Sequence, residues 1–381
     1  MNFIDRQLKE KALTLLSQFP FLAITGPRQS GKTTFAKQLK PDYDYVNLEL
    51  PEYRNFAKTD PMAFLKSYQN GVILDEIQWV PELFSYLQVI SDERNKPGEY
   101  ILTGSQNFLL SSQITQSLAG RVAMLNLLPF SLKELQPEMA FKNWEDLAVG
   151  GGYPRKYQFD IDPTDFYPNY IQTYLERDVR QILNIKDLLV FQKFIQLLAG
   201  RAGQLFNQSG ISNELGLDNK TVNSWLGVLE ASYIAFRLPS YYQNFNKRIL
   251  KSPKVYFYDT GVLCNILGIK KATDLNLHFA RGAVYENLVI LETIKNELNQ
   301  GKQPSCYFWR DTNQNEVDLL QEKDGKLIAI EIKASETFHH DFLKGLKNFQ
   351  KIAPHAEAKL IYAGQMKHHR DTIQITNLWD M

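Results

Sequence analysis

Phe21-Leu22-Ala23-Ile24-Thr25-Gly26-Pro27-Arg28-Gln29-Ser30-Gly31-Lys32-Thr33-Thr34 is the stretch on which the fold turns. Its first five residues make a short apolar run suited to a buried strand, and Pro20 separates them from a helical pattern over residues 5–18. Residues 26–33 fit G-x-x-x-x-G-K-[ST] at every position, and a helical pattern follows from Lys32 to Leu39. Strand, glycine-rich loop and helix in that order build a phosphate cradle. Backbone N–H groups of the loop and helix N-terminus face the phosphates, and the glycines permit close approach. Lys32 then reaches the β- and γ-phosphates while the Thr33 hydroxyl ligates Mg²⁺. The expected cofactors are ATP and Mg²⁺, with Gly26, Pro27, Arg28, Gln29, Ser30, Gly31, Lys32, Thr33 and Thr34 forming the cradle.

Outward from this loop, Val72-Ile73-Leu74-Asp75-Glu76 supplies the second half of the site. An apolar strand carries Asp75 to the edge of the sheet, where it can hold the magnesium shell, and Glu76 can polarise the attacking water. That pair suits water activation better than protected phosphoryl transfer to a small molecule. Alone, an apolar-Asp-Glu run also describes a surface carboxylate pair. Thr103-Gly104-Ser105 closes the next apolar run, so Thr103 or Ser105 is a sensor candidate beside Glu76; an ordinary strand-ending turn has the same pattern. Arg121 follows in Leu118-Ala119-Gly120-Arg121. Its guanidinium can serve as an arginine finger, in cis or from a neighbouring subunit of a homo-oligomer, or form an interdomain salt bridge. Strands alternating with helices over the first 130 residues predict a parallel sheet covered on both faces.

Composition narrows the classes. The 381 residues, 44% of them hydrophobic, suffice for two or three cores. The net charge of +1, from 43 basic and 42 acidic residues, gives no global attraction to nucleic acid or an anionic membrane, so any DNA surface must be a local patch. Two cysteines, Cys264 and Cys306, support neither a disulfide framework nor a cysteine zinc site, and suit a reducing cytoplasm. No apolar signal core opens the chain, and no uncharged run approaches the ~20 residues that span a bilayer, so no membrane partner is expected. His339-His340 and His368-His369 lack the spacing of a zinc site.

After Pro129 the pattern becomes helical, broken at Gly150-Gly151-Gly152-Tyr153-Pro154. A short helix–turn–helix pattern spans residues 211–231, with Val222, Trp225 and Leu229 inward and Asp218 or Asn219 as cap. Strand-like runs at 233–238 and 255–258 follow, joined by a segment carrying Lys247, Arg248, Lys251 and Lys254. From about Gly282 a long helix (284–298), three strand-like runs (305–310, 316–321, 327–333), a helix near 342–352 and a last strand (358–363) form a second α/β unit.

These motifs together resemble the bacterial and archaeal AAA+-type ATPases that carry a C-terminal DUF4143 region. The resemblance rests on residues 26–34, Leu74-Asp75-Glu76-Ile77-Gln78, Leu102-Thr103-Gly104-Ser105, Leu118-Ala119-Gly120-Arg121 and Leu128-Pro129-Phe130. It continues through Gly151-Gly152-Tyr153-Pro154, Tyr174-Leu175-Glu176-Arg177-Asp178-Val179 and Pro253-Lys254-Val255-Tyr256-Phe257-Tyr258-Asp259-Thr260-Gly261. It implies an α/β fold: a parallel-sheet P-loop core (1–130), a helical lid (131–183), a winged helix (184–262) and a restriction-endonuclease-like domain (263–381). Tyr153 and Pro154 resemble the lid residues that pack near adenine, although Arg155 stands where similar sequences often have an acidic residue. A winged helix with a basic wing implies DNA backbone contact, or else a rigid spacer. The charges of residues 174–180 read as a salt-bridged helix face, with Arg177 able to approach the nucleotide.

The last unit carries Asp318 in one strand and Glu331-Ile332-Lys333 at the end of the next. Alternation puts Glu331 and Lys333 on one face. Two carboxylates can hold Mg²⁺ or Mn²⁺, and an adjacent lysine can position hydroxide for attack on a phosphodiester. This D…E-x-K arrangement resembles that of PD-(D/E)XK nucleases, with Glu286 matching an acidic helix residue of such folds. The expected function is therefore ATP hydrolysis controlling a DNA-binding or DNA-cutting C-terminal unit. The alternative is a regulatory ATPase whose C-terminal fold recognises a partner without cleaving.

Overall fold

The computed structural model describes residues 4–94, 96–105, 117–174, 188–241 and 252–381. The first unit runs α1 (Lys9–Leu16), β1 (Phe21–Thr25), α2 (Lys32–Leu39), β2 (Asp44–Asn47), α3 (Pro51–Thr59) and α4 (Pro61–Lys66). It continues with β3 (Val72–Asp75), α5 (Leu83–Arg94), β4 (Tyr100–Gly104) and β5 (Val122–Asn126). The five strands form one parallel sheet in the order β2-β3-β4-β1-β5. Leu22, Ile24, Ile73 and Ile101 face Leu8, just before α1, Ala12 of α1 and Phe35 and Leu39 of α2. Phe21, Ala23, Leu74 and Leu102 face Phe64 of α4 and Phe84 and Leu87 of α5. Burial on both faces explains why β1, β3 and β4 read as unbroken apolar runs. The edge strand β5 lacks that signal because Met124 points to solvent.

A connecting region follows: α6 (Leu132–Leu135), α7 (Trp144–Gly150), α8 (Pro154–Gln158), α9 (Pro163–Tyr174) and α10 (Leu188–Gly200). Ser131 and Glu134 start α6 with a reciprocal capping box. Next come α11 (Gln208–Leu215) and α12 (Asn219–Ala231), separated by Gly216 in the left-handed region (φ 65°) and capped by Asp218, whose side chain accepts from Thr221 N at 2.8 Å. The strands β6 (Ala235–Leu238) and β7 (Lys254–Phe257) pair antiparallel. Arg177, Lys247, Arg248 and Lys251 lie outside the described residues.

The last unit begins after α13 (Thr260–Ile266) and α14 (Ala272–Leu277) with the long helix α15 (Arg281–Asn299). Strands β8 (Cys306–Arg310), β9 (Glu316–Lys323) and β10 (Lys326–Lys333) pair antiparallel. Helix α16 (Lys344–Ile352) then leads to β11 (Glu357–Tyr362), β12 (His368–Arg370) and β13 (Ile373–Thr376). The sheet order is β12-β13-β11-β10-β9-β8, so the chain does not end its sheet at residue 363 as expected. The two additional strands are three and four residues long, and β12 is largely exposed, which leaves little apolar periodicity. Between Tyr307↔Leu320 and Trp309↔Val317 the register shifts by one residue on β9. Asp318 therefore lies in a bulge, a feature that re-aims a side chain. Both cysteines are free and buried.

One hydrophobic core joins the connecting region, the middle segment and one face of the last sheet, through Phe130, Tyr153, Phe194, Trp225, Tyr256, Leu288 and Leu319. Leu288→Ala should cost about 2–5 kcal/mol. Because that core is shared, far-UV circular dichroism and tryptophan fluorescence should shift together in a denaturant titration.

Candidate functional site: a phosphate cradle with an acidic second half

Parallel pairing with β4 between β1 and β3 sets the C-terminal ends of these strands side by side. The loop after β1 is made possible by Gly26 (φ 152°), where a Cβ would lie 2.1 Å from Leu127 O. Gly31 enters α2 at φ 91°. The buried Lys32 ammonium donates to Gly26 O at 3.0 Å and Pro27 O at 2.8 Å, so it is held along the rim of the loop.

Asp75 gathers three hydroxyls. Its Oδ2 accepts from Thr33 Oγ1 at 2.8 Å and Tyr45 OH at 2.7 Å, and its Oδ1 accepts from Thr103 Oγ1. Burial, then Asp75 itself, pushes the Tyr45 hydroxyl above its ordinary range, which keeps it a donor. Glu76 adopts the left-handed backbone region at φ 56°, uncommon for a non-glycine residue. That turn hands its carboxylate to Ser105 Oγ, which donates to Oε2 at 3.0 Å, and to Gln78 Nε2. Thr103 and Ser105 thus divide the work: the first bonds Asp75, the second Glu76. Thr33 and Asp75 present converging oxygen donors suited to a hard cation, so the residues fit Mg²⁺. Tyr45 was not singled out from the sequence and Gln78 only as part of a resembling run, because their contacts with the site arise from strand order and the turn at Glu76.

Beside the loop lies a cavity of about 260 Å³ lined by Ile4, Ser30, Gly31, Phe35, Phe130, Met139, Pro154 and Tyr157, among others. Pro154 approaches the loop, 3.6 Å from where a Gly31 Cβ would be. Tyr153 does not line the cavity: it is 1% exposed and its hydroxyl donates to Tyr170 OH at 2.7 Å within an aromatic group. Tyr157, four residues on, lines the cavity instead. The cavity wall is pinned from afar. Arg6 stacks 4.7 Å from the Phe130 ring centroid and donates to Leu128 O. Lys295 of α15 donates to Phe130 O at 2.8 Å, and Glu292 accepts from Leu132 N at 2.7 Å. Asp259 accepts from Gly152 N at 2.8 Å. Tyr233 donates to Thr25 Oγ1 at 3.0 Å at the base of the loop.

Arg121 lies at the other edge of the sheet. Its carbonyl accepts from Phe21 N, the first residue of β1, whereas the cradle follows the last. Five strand residues span about 16 Å. Its side chain forms a two-pronged pair with Asp92 of α5, Nε to Oδ1 at 2.6 Å. The cis finger therefore has no geometric support.

The C-terminal candidates do meet. Lys333 Nζ lies 2.6 Å from Glu331 Oε1 and 3.3 Å from Asp318 Oδ2, which also accepts from Ile332 N at 2.8 Å. Glu286 receives the Tyr256 hydroxyl and Lys254 Nζ, the latter at 3.2 Å. Lys254, expected on an exposed basic wing, is 3% exposed and also pairs with Glu316 Oε1 at 2.5 Å. Packing of β7 against α15 overrides the hydrophilicity read from its charge: Asn287 bonds both Phe257 N and Phe257 O. Among the described residues, no group of three or more His, Cys, Asp or Glu is arranged to hold a metal ion.

A parallel five-stranded sheet with a glycine cradle and a hydroxyl-bound aspartate defines a P-loop ATPase-type core, followed by a separate C-terminal sheet. Comparison with known proteins agrees. Residues 18–136 match the model of an AAA domain, residues 281–381 that of a domain of unknown function, DUF4143, and residues 141–273 that of another, DUF8612. The AAA-domain match thus covers most of the P-loop core and the DUF4143 match covers the C-terminal sheet. An uncharacterized protein of Mycobacterium tuberculosis is 29% identical over 325 residues, covering 84% of this chain and 72% of that protein. One of Haemophilus influenzae is 24% identical over 388 residues, covering 90% and 92%. Among solved structures, a Walker-type ATPase of Pyrococcus abyssi aligns with TM-score 0.47 and 14% identity, over 69% of this chain and 96% of that one. Among the described residues, no helix is long and apolar enough to cross a membrane.

Tyr45→Phe removes one of the three donors on Asp75. Mg²⁺-dependent binding of an ATP analogue should weaken about 10-fold, as for other partners that orient a ligand, while binding in EDTA stays unchanged by calorimetry.

Proposed function

We propose that the chain hydrolyses ATP and passes its nucleotide state to the carboxylate group of the C-terminal sheet, which acts on or grips a nucleic-acid phosphodiester. The observation that carries the first half is the division of hydroxyls between Asp75 and Glu76. Lys32 and the loop N–H groups hold the phosphates, and the cavity beside Pro154 and Tyr157 takes the base. Thr33 and Asp75 would hold Mg²⁺, which when bound offsets charge on the β- and γ-phosphates. Glu76, fixed by Ser105 and Gln78, orients the attacking water and accepts its proton.

The second half is supported by one helix. Near its C-terminal half, α15 holds the cavity wall through Glu292 and Lys295; near its start it carries Glu286 into the acidic group. Nine residues of helix separate Glu286 from Lys295, about 13 Å. A change in the cavity wall thus has a rigid route to the C-terminal carboxylates. The basic wing contributes no described DNA contact, since Lys254 is buried in ion pairs. The same pairing favours the second reading, in which the C-terminal carboxylates recognise a partner without cutting.

Glu76→Gln should retain ATP binding and lose about 10²- to 10⁴-fold in phosphate release. Unchanged release would refute the assignment of Glu76. Supercoiled DNA incubated with Mg²⁺ or Mn²⁺ and ATP discriminates the outputs. Nicking abolished in Lys333→Ala supports phosphodiester chemistry, and intact DNA with normal ATPase supports recognition without cleavage.

A further inference from the structure

Where α12 ends, the backbone favours glycine and the chain supplies tyrosine. Tyr233 N donates to Glu230 O at 3.1 Å and Ile234 N to Leu229 O at 2.8 Å, the paired bonds that close a helix through one left-handed residue. That residue is Tyr233, at φ 56°. Glycine reaches this region without strain, whereas a bulky side chain there is an outlier of the kind that collects at functional sites.

The ring crosses from the middle segment to the root of the phosphate loop. Tyr233 is 3% exposed, and its hydroxyl lies 3.0 Å from both Thr25 Oγ1 and Asn126 Oδ1, while Thr25 Oγ1 also donates to Asn126 Oδ1. Thr25 and Asn126 are register partners at the ends of β1 and β5. Leu127 N donates to Thr25 O at 2.8 Å, and Gly26 passes so close to Leu127 O that no Cβ would fit. The first residue of the loop is therefore set by this junction, which Tyr233 holds from outside the sheet. Burial pushes the Tyr233 hydroxyl up to about 12, which keeps it a donor.

The opposite side of the site is held from the same place. Tyr258 N donates to Ile234 O at 3.0 Å, and the Tyr233 and Tyr258 rings meet edge to face with centroids 5.5 Å apart. The next residue, Asp259, accepts from Gly152 N. Beyond β6 the chain reaches the C-terminal sheet, where Phe308 N donates to Pro239 O at 3.0 Å and Tyr241 N to Phe308 O at 2.7 Å. About 20 Å of extended chain joins Tyr233 to Pro239.

We propose that Tyr233 is a positioning residue for the nucleotide: its hydroxyl sets the root of the phosphate loop, and loop occupancy in turn steadies the end of α12 and β6. This rests on the reading of the loop as an ATP site, and adds the residue that joins that site to the middle segment. Coupling of this kind is reciprocal. A Tyr233 bond that tightens nucleotide binding is itself strengthened by nucleotide, by the same factor.

The test uses the full chain and a non-hydrolysable ATP analogue with Mg²⁺. Tyr233→Phe keeps the ring and the left-handed backbone and removes one oxygen. Calorimetry should show the analogue bound about 3- to 10-fold more weakly by this variant. In the intact chain, saturating analogue should slow amide hydrogen exchange over residues 229–238. In saturated Tyr233→Phe that slowing should vanish while protection of residues 26–34 remains. A bond that only supports the fold would instead lower the melting temperature of the nucleotide-free chain and leave affinity unchanged, which would overturn the proposal. Equal slowing in both chains would overturn it too. Thr25→Val, which removes the partner oxygen from the other side, should produce the same two changes and serves if Tyr233→Phe folds poorly. Loss of folded structure in both variants, with or without the analogue, would mark a general support and also count against it. No analogue binding by the intact chain would overturn the ATP reading and this one together. Weakened binding with no phosphate release by either chain sustains Tyr233 and counts against hydrolysis alone.

Discussion

The Asp75 carboxylate is the junction on which the ATPase core depends. Three hydroxyls converge on it from separate elements: Thr33 from α2, Tyr45 from β2 and Thr103 from β4. Only a sheet with β3 between β2 and β4 can bring them together. A buried charge needs such partners, since an unpaired one would cost several kcal/mol. The same arrangement fixes Thr33 beside Asp75 and sets Glu76, one residue on, against Ser105. Fold and chemistry are thus specified by one set of hydrogen bonds.

A second constraint ties the core to the rest of the chain. The backbone around the cavity beside the loop is held by groups that are distant in sequence: Asp259 on Gly152, Lys295 on Phe130 O and Glu292 on Leu132 N. Lys295 and Glu292 also pair with each other at 2.9 Å in a buried setting. Breaking such a pair is more costly than its net contribution suggests, because one charge is left unanswered. The cavity beside the loop is therefore braced by α15, through Lys295 and the cavity-lining Phe130.

The positions of the cradle, Asp75 and Glu76 were legible in the sequence because strand, loop and helix are set there within a few residues of backbone. So was the approximate course of β9, β10 and α15, where apolar periodicity is strong. Other features depend on tertiary neighbours. Tyr45 contributes because β2 lies next to β3, and Tyr157 because α8 turns it into the cavity where Tyr153 is drawn into an aromatic group. Arg121 follows the sensor region in sequence, yet parallel register returns it to the opposite edge. Lys254 looked solvated by its charge, but its strand is buried against α15. The edge strands β5, β12 and β13 are short or half-exposed and leave little pattern to read.

The most direct measurement is phosphate release from ATP with added Mg²⁺, compared between the intact chain and Asp75→Asn. Steady release by the intact chain without any acceptor molecule is expected, with near-complete loss in the variant while metal-free nucleotide binding persists. Equal release by both, or none by the intact chain under any divalent cation, would contradict hydrolysis that depends on Asp75.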